Sequence, residues 1–401
     1  MASGDIKGFL EIARDEFRHH ADRLLGMGLF WAWLQIIFAS SVCAPAEFLP
    51  ISFQPLHQIW TLSLFFTILV FLAVLLNRSK IRGFTNNAIL IASHVLMALG
   101  SAFLVSSFYG LATMLTTILG IVMIGIGSGL AFLLWGEHLS LLEPRRVLFD
   151  TAIFSFLTAL LYILVIILPA PAIQGAVIII PLISAALFKS SVTKTQTAKP
   201  SREVLESPGL LNQKGWLIGL AVLVGLIYGI MRGTSLSFTS SSLVEVTIAT
   251  VIGIAIAGLL LTITTVFFKK ESELNLVCQI AFPLLAGGFL LLPRFSTGLP
   301  LPLIVFTIGH SYFYFLLWVF CSSQSQRETR SAVVVFAIGL LAFLGSSLAG
   351  SIASDFMVVL GSESSQVITI ISIIVVYLII LLLAYIMGKS RKTNDADNKK
   401  T

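Results

Sequence analysis

The sequence predicts an all-α membrane protein, with twelve transmembrane helices in two parallel six-helix repeats. Three observations predict it. Of 401 residues, 57% are apolar and only 11% are charged, whereas a soluble domain carries about 25% charged residues. The charges are bunched, leaving uncharged stretches long enough for helices of the about 20 residues that a bilayer demands. Lys and Arg also fall almost wholly on one side of the implied membrane. This composition excludes a water-soluble enzyme, a collagen-like repeat and a disordered chain, and three cysteines are too few for a disulfide scaffold.

Residues 1–23 form a leader in which Ile6, Phe9, Leu10, Ala13, Phe17 and Ala21 stand at helical spacing among charges. That pattern predicts an amphipathic helix, lying on the inner membrane face or solvated as an ordinary leader. Uncharged spans follow at 24–46 and 58–76, the second ending in the basic run Asn77 to Arg82. The 54 uncharged residues from Gly83 to Gly136 divide at Ser106-Ser107-Phe108-Tyr109-Gly110 into spans three and four. Residues 151–188 divide at Pro169-Ala170-Pro171 into spans five and six, completing an N-terminal half over 24–188. A polar linker, 189–214, precedes a C-terminal half over 215–387 with spans at 215–231, 246–268, 274–293, 299–322, 331–354 and 366–387. The tail is 388–401. Alternating β-barrel strands of about 9–11 residues do not fit such runs.

With a cytoplasmic N-terminus, 23 of the 25 Lys and Arg residues lie on the inner side, leaving only Arg232 and Arg294 outside. Positive charge marks the cytoplasmic side, so both termini are expected there. The net charge of +6 is then a product of topology. It forms no basic recognition helix, and no bound nucleic acid is expected.

An internal repeat supports the two halves. Ile126-Gly127-Ser128-Gly129 runs into Phe132-Leu133-Leu134-Trp135, and Ile308-Gly309-His310-Ser311 runs into Phe315-Leu316-Leu317-Trp318, at an offset of 183 residues. The same offset carries span one onto span seven. With the helix count and the central linker, the chain resembles the major facilitator superfamily over essentially its full length. More narrowly it resembles the membrane portion of gut-actinobacterial LuxR-type regulators. The carriers are Gly127-Ser128-Gly129 leading into Leu133-Leu134-Trp135-Gly136-Glu137, and Tyr228-Gly229-Ile230-Met231-Arg232-Gly233. The resemblance implies a bacterial inner-membrane protein with a ligand cavity between the halves. The 388–401 tail is too short for the helix-turn-helix module of those regulators. Asn77 to Gly83 lacks the Asp of the facilitator loop pattern, and no acid stands mid-membrane in spans one or four.

The repeat places spans one, four, seven and ten around that cavity. Arg232 lies four residues after Tyr228, on one helix face. It could hold a ligand carboxylate or phosphate, pair with Glu245, or reach the outer headgroups. His310 is the most interior ionisable residue of the C-terminal half, with Thr307, Ser311, Tyr314 and Trp318 on or beside its face. The equivalent positions in span four include Gly127 and Ser128, so the repeat offers either an asymmetric pocket or simple close packing. Trp31, Trp33 and Gln35 are further cavity candidates in span one. His94 is expected to be a bonded packing residue, Glu137 a partner of Arg145 and Arg146, and Asp150 a headgroup-level residue.

No metal ligand spacing, redox pair, phosphate loop or hydrolase motif appears, so no cofactor and no enzyme chemistry are expected. Two functions fit: a secondary transporter or facilitator of a small organic, anionic solute, or a ligand-sensing domain acting through a separate cytoplasmic partner.

Overall fold

The computed structural model describes residues 2–40, 55–81, 83, 86–111, 113–197, 214–237, 243–267, 274–292, 300–327, 331–361 and 369–381. Among them the ordered elements are twelve helices. In the first half these are α1 (Ala2–Ala39), α2 (Pro55–Leu76), α3 (Asn87–Phe108), α4 (Met114–Leu139), α5 (Pro144–Ile166) and α6 (Ala170–Thr197). In the second they are α7 (Lys214–Ser237), α8 (Leu243–Phe267), α9 (Leu274–Leu291), α10 (Leu301–Arg327), α11 (Ala332–Gly361) and α12 (Thr369–Leu381). Nine of the described helices are long and apolar enough to cross a bilayer.

The breaks follow local chemistry. Gly110 turns the chain between α3 and α4 at φ 68°, a region that favours glycine. Thr113 caps α4 through the Thr116 amide, and Asn86 caps α3 through that of Ala88. Pro144 begins α5, where its missing N–H costs nothing. The leader and first span form one helix, α1, bent at His20, where φ is −131° and ψ 26°. Cys43 and Arg294 lie outside the described residues.

The repeat is visible in which helices touch. Within the first half α1 packs on α5, α2 on α4 and α3 on α4; six helices later α7 packs on α11, α8 on α10 and α9 on α10. The halves meet through α2 with α11 and α5 with α8, two contacts exchanged by the same shift of six. A pseudo-twofold relation therefore runs between the halves. Near it, equivalent residues meet: Ser322 Oγ donates to the carbonyl of Leu139, 183 residues earlier, at 3.0 Å.

Close packing within the second half rests on small residues. A Cβ at Gly229 would collide with the Ser347 carbonyl and the Ser351 amide, and one at Gly350 with the Leu226 carbonyl. In lipid, where apolar contact alone drives no association, such backbone approach is what joins helices.

The ends of α2, α4, α6, α8 and α10, with the starts of their successors, share one face of the bundle, here termed the basic end. There α1 is tied to the rest of its half by charge. Arg23 Nε donates to Asp150 Oδ2 at 2.8 Å, and both side chains are 1% exposed. Asp150 faces the bundle interior, because a buried guanidinium demands an acid. Next to it, Asp22 accepts from Ser190 and pairs with Lys194 at 2.9 Å. Burial alone would raise the Asp22 pKa, but these partners outweigh it and hold the carboxyl below its ordinary value. Its contribution to stability is present above the usual carboxylate range and lost as the pH falls through it.

Two predictions follow from this packing. Gly229→Leu should destabilise the α7–α11 pair by about 1–3 kcal/mol, lowering the thermal midpoint of the detergent-solubilised protein. Gly219→Ala, where a Cβ has nothing within 4 Å, should not lower it, and helix propensity should raise it slightly. Asp150→Leu strands a buried guanidinium and should cost about 3–5 kcal/mol, while Arg23→Met with Asp150→Leu should recover most of the loss in the same assay.

Candidate functional site

Two adjoining hollows of about 790 and 600 Å³ lie between the halves and share Gln35, Tyr228, Arg232, Ile254, His310 and Ser311. The first half supplies Trp31, Gln35 and Phe38 from α1, Trp60 and Thr67 from α2, and Ser128 and Phe132 from α4. The second supplies Tyr228 and Arg232 from α7, His310, Ser311 and Tyr314 from α10, and Phe343 from α11. Tyr228 and Arg232, one turn apart, and His310, Ser311 and Tyr314 share the cavity, as their spacing on α7 and α10 suggested. Thr307 lines the smaller hollow.

The walls are aromatic. Tyr228 stacks on His310 with centroids 3.9 Å apart at 12°, and Tyr314 stacks on Phe343 at 4.6 Å and 22°. Toward the basic end Trp31 forms a floor with Phe132, Phe154, Tyr314, Phe315 and Trp318, at centroid distances of 5.3–6.4 Å. Below it the halves are bonded directly: Gln326 Nε2 donates to the Ser140 carbonyl at 3.0 Å and to that of Leu142, and Ser322 to Leu139.

The far end is also tied. His57 Nε2 lies 2.9 Å from Asp355 Oδ1, joining α2 to α11, and Ser351 lies within 3.2 Å of both His57 and Thr61. Tyr162 of α5 and Thr247 of α8 both donate to the Ala39 carbonyl at 3.3 Å. Arg232 Nη2 donates to the Phe38 carbonyl, and the guanidinium sits 4.6 Å from the centre of the Trp60 ring. Arg232 therefore takes a carbonyl and an indole face, and the ion pair with Glu245 is not formed.

Several polar atoms facing these rings lack partners: Trp31 Nε1, His310 Nε2 and Arg232 Nε are buried without a hydrogen bond. Among the described residues of the lining, Arg232 carries the full charge, and none is Asp, Glu or Lys.

Gly127 is not on the cavity. A Cβ there would meet the Ser93 carbonyl at 2.7 Å, so it packs against α3. Its neighbour Ser128, about 100° further round the helix, lines the cavity instead and lies 3.3 Å from Thr67. Trp33 points away from the cavity too, bonding Ser101 of α3 at 3.1 Å. His94 bonds the Leu90 carbonyl at 2.9 Å, a packing residue as expected. Trp60, Thr67 and the His57–Asp355 pair are the elements that sequence reading missed. An aromatic in the second turn of α2 was the available signal for Trp60; the pair, 298 residues apart, left none.

With this geometry in place, comparison with solved structures shows that the fold is one shared with major facilitator superfamily transporters. The proton:xylose symporter XylE is similar at a TM-score of 0.61 and 13% identity, covering 93% of this chain and 95% of that one. A bacterial homologue of the iron transporter ferroportin, outward-facing with soaked iron, scores 0.60 at 14% identity over 94% and 99%. The human organic anion transporter MFSD10 (TETRAN) scores 0.56 at 15% identity over 92% and 99%. No protein-family model and no curated protein matches the chain.

If the bonds from α10 close the basic end, Ser322→Ala with Gln326→Ala should loosen the α4–α5 turn. Hydrogen exchange should rise at residues 139–143 by roughly tenfold, the effect of losing about one net hydrogen bond, with no change in α2.

Proposed function

We propose that this chain is a secondary transporter or facilitator that carries a small organic anion across a bilayer by alternating access. One observation carries the reading: a single cavity is walled by both halves, and breakable bonds cross between those halves at each of its ends. Rocking of one half against the other about such a cavity exposes it to either side in turn. The anion preference comes from Arg232, the lone full charge among the described residues of the lining.

The segregation of Lys and Arg supports a bacterial inner-membrane protein with both termini cytoplasmic, the basic end facing inward. On that orientation, Arg232, Trp60 and the His57–Asp355 pair stand on the outer side of the cavity. A sensing role through a cytoplasmic partner, the reading that the LuxR-type resemblance raised, draws no separate support from the geometry.

The test needs no known solute. Ser311→Cys is placed in a background free of Cys43, Cys278 and Cys321, and a thiol reagent that cannot cross membranes is applied to right-side-out and inside-out vesicles. Labelling from both sides is the expected result. Labelling from the outer side alone would overturn transport and leave a receptor for an external signal.

A further inference from the structure

Arg232 belongs to two systems at once. It stands on α7, in the second half, yet among the described residues its guanidinium's contacts are in the first: the Phe38 carbonyl at the end of α1 and the Trp60 ring on α2. Trp60 is next to His57, with rings 6.2 Å apart, and His57 holds Asp355 of α11 at 2.9 Å. The guanidinium is therefore part of the row of contacts that joins the halves at the far end. It is also the cation of the cavity, and its Nε has no partner.

A lone carbonyl and an indole face are weak company for a guanidinium. A carboxylate offers two charged acceptors that match its planar fork, and none is present among the described residues of the lining. Beside Arg232 the cavity presents flat surfaces, with Tyr228 on His310 and Tyr314 on Phe343 nearly parallel. The indole N–H of Trp31 lies unpartnered among the rings of the floor. Flat apolar walls with a few fixed polar groups select a flat apolar body carrying a polar end.

We infer that Arg232 is an anion-released latch: a flat, ring-bearing carboxylate takes the guanidinium from the Phe38 carbonyl and the Trp60 face, so that the loaded protein parts at the far end while the empty protein stays tied. The exchange is one set of hydrogen bonds for another, with no proton or covalent step. It rests on the reading of the cavity as a transport site. Its consequence is that the empty form reorients slowly, so exchange of one anion for another outruns net movement.

Thr61 and Ser351 give a reporter outside the cavity, because their hydroxyls lie 3.2 Å apart across α2 and α11. Thr61→Cys with Ser351→Cys, in a background free of other cysteines, is reconstituted in phosphatidylcholine vesicles and oxidised with copper–phenanthroline. Benzoate should slow cross-linking by roughly tenfold, as expected for breaking one charge-assisted hydrogen bond. Acetate, benzylamine and benzyl alcohol should not. In Arg232→Gln cross-linking should be slow without any ligand and indifferent to benzoate, and Trp60→Leu should be partly slowed. The latch is overturned if benzoate leaves the rate unchanged in the parent pair, if benzylamine matches benzoate, or if both the Arg232→Gln and Trp60→Leu proteins cross-link as fast as the parent. The outcome is separable from that of the labelling test. A benzoate-sensitive cross-link with one-sided labelling at Ser311→Cys would keep the latch and remove transport. Two-sided labelling with a benzoate-insensitive cross-link would do the reverse.

Discussion

Inside a bilayer two helix bundles gain nothing from leaving water, because lipid tails are as apolar as leucine. What joins the halves of this chain must therefore be packing and a small number of polar bonds, and the structure is arranged around that constraint. Each half is made tight by close backbone approach, as at Gly229 and Ser347, and in the first half by the buried Arg23–Asp150 pair. Between the halves the bonds are of another kind: hydroxyls and an amide onto carbonyls, one His–Asp pair, and one guanidinium on a carbonyl. Such bonds contribute about 1 kcal/mol each when neutral. The halves are thus built as rigid units, and the seam between them is built to part.

The pseudo-twofold relation explains why the cavity is asymmetric even though the frame is not. Ser322 meets its own equivalent, Leu139, near the axis at the basic end. Away from the axis the repeat is free to diverge. Position 127 faces α3 as a glycine, whereas its equivalent His310 turns into the cavity and stacks on Tyr228. One half contributes hydroxyls from Thr67 and Ser128, and the other contributes the guanidinium and imidazole. A repeat whose two copies had stayed alike could not hold a molecule with one charged end and one flat end.

Much of this was legible in the sequence, since a bilayer accepts few backbone solutions. Charge-free runs mark spans, prolines at 169 and 171 mark a break, and Gly110 marks a turn. The 3.6-residue period also put Tyr228 with Arg232 and His310 with Tyr314. Rotation was the harder quantity. A helix buried all round carries no apolar stripe to orient it, so Gly127 and Ser128 could not be told apart by pattern, nor could Trp31 and Trp33. No pattern ties Asp150 to Arg23, its partner 127 residues away in the chain. Long-range pairs leave no periodic trace, and both the Arg23–Asp150 and His57–Asp355 pairs are of that type.

The charge content of the cavity has an electrical consequence on the alternating-access reading. Among the described residues its lining carries one guanidinium and no carboxylate, which makes the empty cavity positive and a cavity holding a monoanion neutral. An elementary charge crossing the full membrane potential is worth about 2.3 kcal/mol per 100 mV, and a low-dielectric surround strengthens the guanidinium's pull on an anion relative to water. Reorientation of the loaded form would thus be nearly blind to the potential, while reorientation of the empty form would feel it. The step that the Arg232 contacts already tie down is the same step that moves charge. Geometry and electrostatics then act on one conformational change: the contacts of Arg232 slow the turnover of an empty cavity, and the potential favours that turnover in one direction and opposes it in the other.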